Sequence, residues 1–218
     1  MTPHILIPCK PLASGKTRLA PVLGAAERHA LCAALLRRTL ECALSLVPAA
    51  RCHLLSVDEE AADIAAVLGV AVIADPGRGL NAALRHGRDV LCREAGAVAL
   101  LILPIDLPRL SLGALRRLMD TDAGIVIAPD RRGRGTNALY LAPGVAARFD
   151  FRFGEESFAA HRRAAAEAGL SCAVFADAAL AFDIDLPTDL RDWREAGDPL
   201  LAAIERAPAI SPRSAPRL

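Results

Sequence analysis

Short, continuous apolar runs alternate along this chain with longer stretches in which apolar positions recur at helical spacing. The runs HILIP (4–8), RCHLLSV (51–57), VAVIA (70–74), AVALLILP (97–104), GIVIAP (124–129), NALYLA (137–142) and SCAVFA (171–176) predict strands. Helices are predicted over 25–47, 59–68, 80–95, 112–119, 155–169 and 187–196, the third opened by Gly79 and the last by Pro187. In the first helix Leu31, Leu35, Leu40, Leu44 and Val47 share a stripe, and Arg28, Arg37, Arg38 and Glu41 lie off it. The run 97–104 has no polar alternation, as expected of a central strand covered on both faces. The pattern predicts an α/β fold, a mostly parallel sheet with helices on both sides. In such sheets ligands gather where strands end and loops begin, so polar residues at those ends are the candidates for chemistry.

At 218 residues the chain fits one domain, predicted over 1–206, followed by a Pro/Ser-rich tail over 207–218 expected to be disordered. The 26 Lys and Arg against 25 Asp and Glu give no bulk charge for nucleic acid, so none is expected as a partner. No apolar run is long enough to cross a bilayer, and Lys10 and Pro11 interrupt the apolar start before it resembles a signal peptide. Cys9, Cys32, Cys42, Cys52, Cys92 and Cys172 show no metal or redox spacing and read as reduced, mostly buried thiols of a cytoplasmic protein. His4, His29, His53, His86 and His161 form no ligand-like pair in sequence.

After the first strand comes CKPLASGKTRL, with Gly15-Lys16-Thr17. A P-loop needs a glycine five residues before its Gly-Lys, so that backbone N–H groups can wrap the phosphates. Lys10 holds that position, and Pro11 beside it has no N–H. The loop therefore offers Lys10, Lys16 and Arg18, which suit a polyphosphate through side-chain charge.

Asp106 ends the most apolar strand, in LLILPIDLP, where an ionised carboxylate needs a cation or metal unless it merely caps a turn between prolines. In FDIDLPTDL, Asp183 and Asp185 alternate with Ile184 and would share one face of an extended segment, able to join Asp106 around a hard cation such as Mg²⁺. Asp189 reads as a helix cap near Pro187. In DRRGRGTNALYL, Arg131, Arg132 and Arg134 are either solvated or anion-binding, and Thr136 and Asn137 can bond a phosphate or carboxylate. Gly154 and Ser157 in FGEESF stand at a predicted helix N-terminus, a natural anion site. Gly79 supplies a tight turn, with Asn81 a candidate for reading a base edge. Ser56 and Asp58 end the second strand, where a helix cap competes with a ligand role.

In order, IPCKPL…GKTRL, SVD, GLNAAL, LPIDLP, APD…GRGTNAL, FGEESFAAH and DIDLPTDL resemble the guanylyltransferases that act on 2-phospho-L-lactate, phosphoenolpyruvate or 3-phospho-D-glycerate in deazaflavin coenzyme biosynthesis. The resemblance spans residues 5 to about 192. It implies a three-layer α/β/α Rossmann-like nucleotidyltransferase fold with a mostly parallel mixed sheet, also used by molybdenum-cofactor guanylyltransferases. It implies GTP as donor, diphosphate as leaving group, an acceptor phosphate as nucleophile and one or two Mg²⁺ ions. The metal acids map onto Asp106 and Asp185, with Asp183 beside them, and Lys16 joins them in catalysis. Pro8, Lys10, Leu12, Lys16, Arg18, Ser56, Asp58, Gly79 and Asn81 map onto the nucleotide site, and Thr136, Asn137, Gly154 and Ser157 onto the acceptor site. A homodimer and contact with the next transferase of the pathway are compatible with it. Where the family often has Ala-Lys-Ser, this chain has Gly15-Lys16-Thr17. The alternatives are another nucleotidyltransferase of this fold, of molybdenum-cofactor or sugar-phosphate type, and a non-catalytic nucleotide-sensing module.

Overall fold

A computed structural model describes residues 2–206; the predicted tail over 207–218 lies outside the described residues. The strands are β1 (His4–Pro8), β2 (Cys52–Ser56), β3 (Ala71–Ala74), β4 (Leu100–Ile102), β5 (Ile125–Pro129), β6 (Thr136–Leu141) and β7 (Cys172–Val174). The helices are α1 (Ala25–Leu46), α2 (Glu59–Val67), α3 (Leu80–Ala95), α4 (Leu112–Met119), α5 (Ser157–Glu167), α6 (Ala178–Ala181), α7 (Pro187–Glu195) and α8 (Pro199–Arg206). The sequence pattern did not announce α6 or α8.

The seven strands form one sheet in the order β3-β2-β1-β4-β6-β5-β7. All pairings are parallel except those of β6, which runs against both β4 and β5. Side chains divide by the two-residue period of a strand. Ile5, Ile7, Leu54, Leu101, Val126, Ala128, Ala138 and Tyr140 face one core. Leu6, Leu55, Leu100, Ile102, Ile125, Ile127, Leu139 and Leu141 face the other. Both faces are covered, which is why the strands read as unbroken apolar runs. The first core is closed by α1, α2, α4 and α6, and the second by α3 and α5 together with Phe149 and Phe151.

Helix α1 is apolar over a wider arc than its expected stripe. Cys32, Leu36, Leu40 and Ala43 face the sheet, whereas Leu31 and Leu35 face outward into a third cluster with Leu19, Ile184, Leu190, Trp193 and Leu201. Helices α7 and α8 thus pack on the outside of α1, and Asp189 fixes the start of α7. Fully buried, it accepts from Asp185 N at 2.9 Å and Leu186 N at 2.7 Å, and it pairs with Arg131 and Arg132.

The six cysteines are free thiols; Cys9, Cys32 and Cys52 are buried, Cys42 and Cys92 half-buried and Cys172 exposed. Among the described residues no helix is long and apolar enough to cross a membrane. The histidines depart from expectation, because the parallel pairing of β1 and β2 brings together two that are far apart in sequence. His4 Nδ1 lies 2.9 Å from His53 Nε2, the rings stacked with centroids 5.2 Å apart. Burial lowers the pKa of both, helped at His4 by Arg51; that of His53 falls to about 4, with His4 as the second cause.

A histidine whose folded pKa lies below its unfolded value stabilises the fold at pH values above 6.5 and loses that contribution as pH falls through about 4. The Tm is therefore expected to fall across that window, and less steeply in a His4→Phe/His53→Phe variant. His161, lowered in the same way, keeps part of the slope. Parallel Tm–pH curves for the two proteins would show that the pair contributes nothing.

Candidate active site

The chain leaves β1 toward β2 and β3 on one side and returns at β4 on the other, so the loops after β1 and β4 diverge at the carboxyl edge of the sheet. Such a switch point opens a crevice. A cavity of about 690 Å³ lies there, lined by the Pro8–Pro11 and Ser14–Arg18 segments, Pro104–Asp106, Asp185, the β3–α3 loop and Phe153.

The loop after β1 is built by hydrogen bonds within the chain. Ser14 N donates to Pro11 O, Gly15 N to Leu12 O, and Leu12 N to Asp58 Oδ2 at 2.9 Å. Those three N–H groups, which a P-loop would turn on phosphates, are already engaged, so the look-alike differs from a P-loop in mechanism as well as in spelling. Asp58 Oδ1 accepts from Ala61 N and caps α2, while Ser56 Oγ accepts from Asp58 N. Both residues therefore brace the loop from outside the cavity lining, and the cap reading holds. Leu12, fully buried, anchors the loop in the first core. Gly15 has an ordinary extended backbone (φ −73°, ψ 158°); glycine is needed there for room, because a Cβ would collide with Cys32 Sγ. The departure from Ala-Lys-Ser is thus matched by the cysteine beneath it.

Lys16 is the non-glycine residue with positive φ among the described residues, at φ 51°. Its left-handed backbone aims the side chain inward, where Nζ lies 2.9 Å from Asp185 Oδ1 and 3.4 Å from Asp106 Oδ2. Burial works against the ammonium, but Asp106 and then Asp185 outweigh it and hold its pKa above the usual lysine value. Asp106 follows the central strand β4, and its carbonyl accepts from Ile184 N at 3.1 Å, which ties the segment before α7 to the loop after β4. Asp185 is set by Asp189 beneath its N–H. Three separate stretches thus deliver two carboxylates and one ammonium to one point.

The Lys16 contacts are with Asp106 and Asp185, whereas the Asp183 carboxylate is buried with Oδ1 3.4 Å from Asn137 Nδ2. Burial, then Asp106 and Asp185, push its pKa up to about 6. Among the described residues no three His, Cys, Asp or Glu side chains are arranged to hold an ion by themselves.

The remaining predicted residues divide into two groups. Pro8, Lys10, Arg18 and Gly79 line the cavity, Lys10 and Arg18 exposed at its mouth. Asn81, Thr136, Asn137, Gly154 and Ser157 are not part of its lining. Asn81 is committed to backbone rather than open to a base edge: Nδ2 donates to Phe153 O and Oδ1 accepts from Phe153 N. Asn137 Nδ2 donates to Leu180 O as well as approaching Asp183. At the start of α5, Ser157 N donates to Gly154 O and Phe158 N to Arg134 O, so two of the N–H groups expected to be free are used internally. Arg131 and Arg132 pair with Asp189, and Arg134 with Glu156 at 2.6 Å; none is simply solvated.

The sequence reading passed over Asp75 and Phe153, which line the cavity, and His161, whose ring meets Thr136. Asp75 carries the same signal as Asp106, an acid closing an apolar strand. His161 lies one helical turn beyond Ser157 in the FGEESFAAH block.

A crevice with paired acids and cations at the switch point suits a polyphosphate ligand. The chain is 38% identical over 194 residues to a phosphoenolpyruvate guanylyltransferase of Sphaerobacter thermophilus, covering 88% of this chain and 92% of that one. It is 37% identical to a 3-phospho-D-glycerate guanylyltransferase of Phenylobacterium zucineum, covering 80% and 81%. A 2-phospho-L-lactate guanylyltransferase of Methanoregula boonei is 38% identical, covering 87% and 81%. Among solved structures, a cytidylyltransferase from Leptospira borgpetersenii superposes with a TM-score of 0.58 at 13% identity, covering 97% of this chain and all (100%) of that one, which shows a shared fold. Residues 3–198 match the family described as guanylyl transferase CofC like, and the chain belongs to that family.

Proposed function

We propose that the protein transfers GMP from GTP to the phosphate of a small phosphorylated carboxylic acid, with release of diphosphate, as an Mg²⁺-dependent step of deazaflavin coenzyme biosynthesis. The observation that carries this reading is the Lys16 ammonium held between Asp106 and Asp185 at the base of the cavity. The acceptors named for its relatives, phosphoenolpyruvate, 3-phospho-D-glycerate and 2-phospho-L-lactate, share one phosphate and one carboxylate.

In the reaction an acceptor phosphate oxygen attacks the α-phosphorus, one P–O bond forms, and the bond to the bridging oxygen breaks as diphosphate departs. A phosphate monoester is largely deprotonated at neutral pH, so no side chain need remove a proton. The difficulty is electrostatic, since two unit charges about 4 Å apart oppose each other by roughly 4 kcal/mol at a near-surface effective dielectric. Lys10, Lys16 and Arg18 supply positive charge where the triphosphate enters. Thr136, Gly154 and Ser157 form the acceptor's anchor on the neighbouring rim.

The residues present fit a hard divalent ion. Asp106 and Asp185 present oxygen donors from two segments to a point that already accommodates a cation, and Mg²⁺ binds through one or two carboxylates plus substrate phosphates. When bound there, Mg²⁺ would supply charge neutralisation at the α-phosphate and the leaving oxygen. Lys16 then has to vacate the space between the acids, and the phosphates are its natural destination. The flexible stem of its side chain lets one lysine serve both positions.

Asp106→Ala is expected to lower turnover roughly a thousandfold or more with the fold retained, as read by diphosphate release and circular dichroism; near wild-type turnover sinks the assignment. Thr136→Ala and Ser157→Ala should each raise the KM for the acceptor about tenfold and leave that for GTP nearly unchanged. The opposite split means the two substrate sites have been exchanged. Lys16→Met should tighten Mn²⁺ or Mg²⁺ binding to the nucleotide-free protein about tenfold, since a competing charge is removed, while weakening GTP. Calorimetry showing unchanged divalent-ion affinity counts against the shared position. Mass spectrometry of products from GTP, Mg²⁺ and the three acids identifies the acceptor.

A further inference from the structure

His161 is fully buried on α5, yet both of its ring nitrogens are engaged. Arg152 N donates to Nε2 at 2.9 Å, and Nδ1 lies 2.9 Å from Thr136 Oγ1. A backbone N–H can only donate, so Nε2 must present its lone pair. The ring proton of a neutral imidazole then sits on Nδ1, and Nδ1–H donates to Thr136 Oγ1. A hydroxyl that receives this bond keeps its own single hydrogen for another partner. Protonation would set a second ring N–H against Arg152 N–H and break the arrangement. Burial, with Arg152 adding to it and Asp150 opposing, lowers the His161 pKa to about 4 and keeps the ring neutral at working pH.

The backbone that meets Nε2 is clamped from its other side. Asn81 exchanges two hydrogen bonds with the backbone of Phe153, at 2.9 and 2.8 Å. The Phe153 ring stands edge-on to the imidazole, with centroids 4.6 Å apart, and also lines the cavity. The Arg152–Gly154 stretch is therefore pinned by a histidine and an asparagine at the point where it borders the crevice.

We propose that His161 is a positioning residue for acceptor recognition: its Nδ1–H tautomer makes the Thr136 hydroxyl a dedicated donor toward an anionic group of the acceptor, and with Asn81 it fixes the Arg152–Gly154 stretch beside that subsite. This rests on the reading that Thr136 binds the acceptor. His161 itself touches no substrate.

The direct test is long-range proton–nitrogen NMR on the protein labelled at histidine. His161 is expected to carry its proton on Nδ1 from pH 5 to 8; a ring protonated on Nε2 overturns the proposal. The kinetic test pairs His161→Asn, whose amide can donate from near the position of Nδ1, with His161→Gln, whose amide reaches toward Nε2 and leaves Thr136 without its donor. His161→Gln should raise acceptor KM about tenfold while kcat and the KM for GTP stay within about twofold, and His161→Asn should recover most of the loss. Equal effects of the two variants, or a wild-type acceptor KM in His161→Gln, overturn it. Thr136→Val separates the levels: if it raises acceptor KM and His161→Gln does not, only the positioning role fails. If Thr136→Val leaves acceptor KM untouched, the acceptor-site reading fails and the role of His161 falls with it.

Discussion

Two partly exposed carboxylates and the buried ammonium they hold at the switch point of the sheet set the terms for what surrounds them. Asp106 and Asp185 would repel each other without a cation between them, and Lys16 cannot remain charged in a buried site without the acids. Each member therefore makes the others tolerable. Burial first, and then the surplus negative charge of Asp106 and Asp185, drive the Asp183 carboxyl toward its neutral form. That charge is not felt at Asp189, which has two arginines and two backbone N–H groups of its own and is held below the usual carboxylate range. Four acids within one short segment and its neighbour thus occupy three electrostatic environments.

Much of the fold around that cluster serves to fix where the three side chains begin. The loop after β1 is tied to α2 through Asp58, the loop after β4 is tied to the segment before α7 through Asp106 O, and α7 is held to the outside of α1 by Trp193 and Leu190. Backbone groups take part in the first two ties and apolar side-chain packing makes the third, so the charged side chains start from fixed positions, as a preorganised electrostatic site needs.

Features whose cause is local were legible in the sequence. Strands covered on both faces read as continuous apolar runs, Pro187 and Gly79 announced helix starts, and Asp106 stood out because an acid rarely closes such an apolar strand without a partner. What escaped depends on pairing at long range. His4 meets His53 only because β1 and β2 are neighbours, and His161 meets Thr136 only because α5 lies against the start of β6. Arg131 and Arg132 looked like free cations until α7 brought Asp189 to them. The four-residue helix α6 carries too few turns to show a period, and the breadth of the apolar arc on α1 has its reason in α7 and α8, which a stripe fitted to one sheet could not include.

The reversal of β6 has a consequence for how recognition is divided. A parallel strand brings only its end to the carboxyl edge of the sheet, but an antiparallel one brings its beginning, and so Thr136 and Asn137 reach the same edge as the ends of β4 and β5. The rim is thereby split into two territories of the chain. The segments after β1, β2, β3 and β4 belong to the first half, and the β5–β6 turn, the stretch before α5 and the lead into α7 belong to the second. The two are joined where Lys16 meets Asp185, where Ile184 N meets Asp106 O and where Asn81 clasps Phe153. A single backward-running strand thus lets the two halves of the chain face each other across one crevice, so that neither half builds the floor of that edge alone.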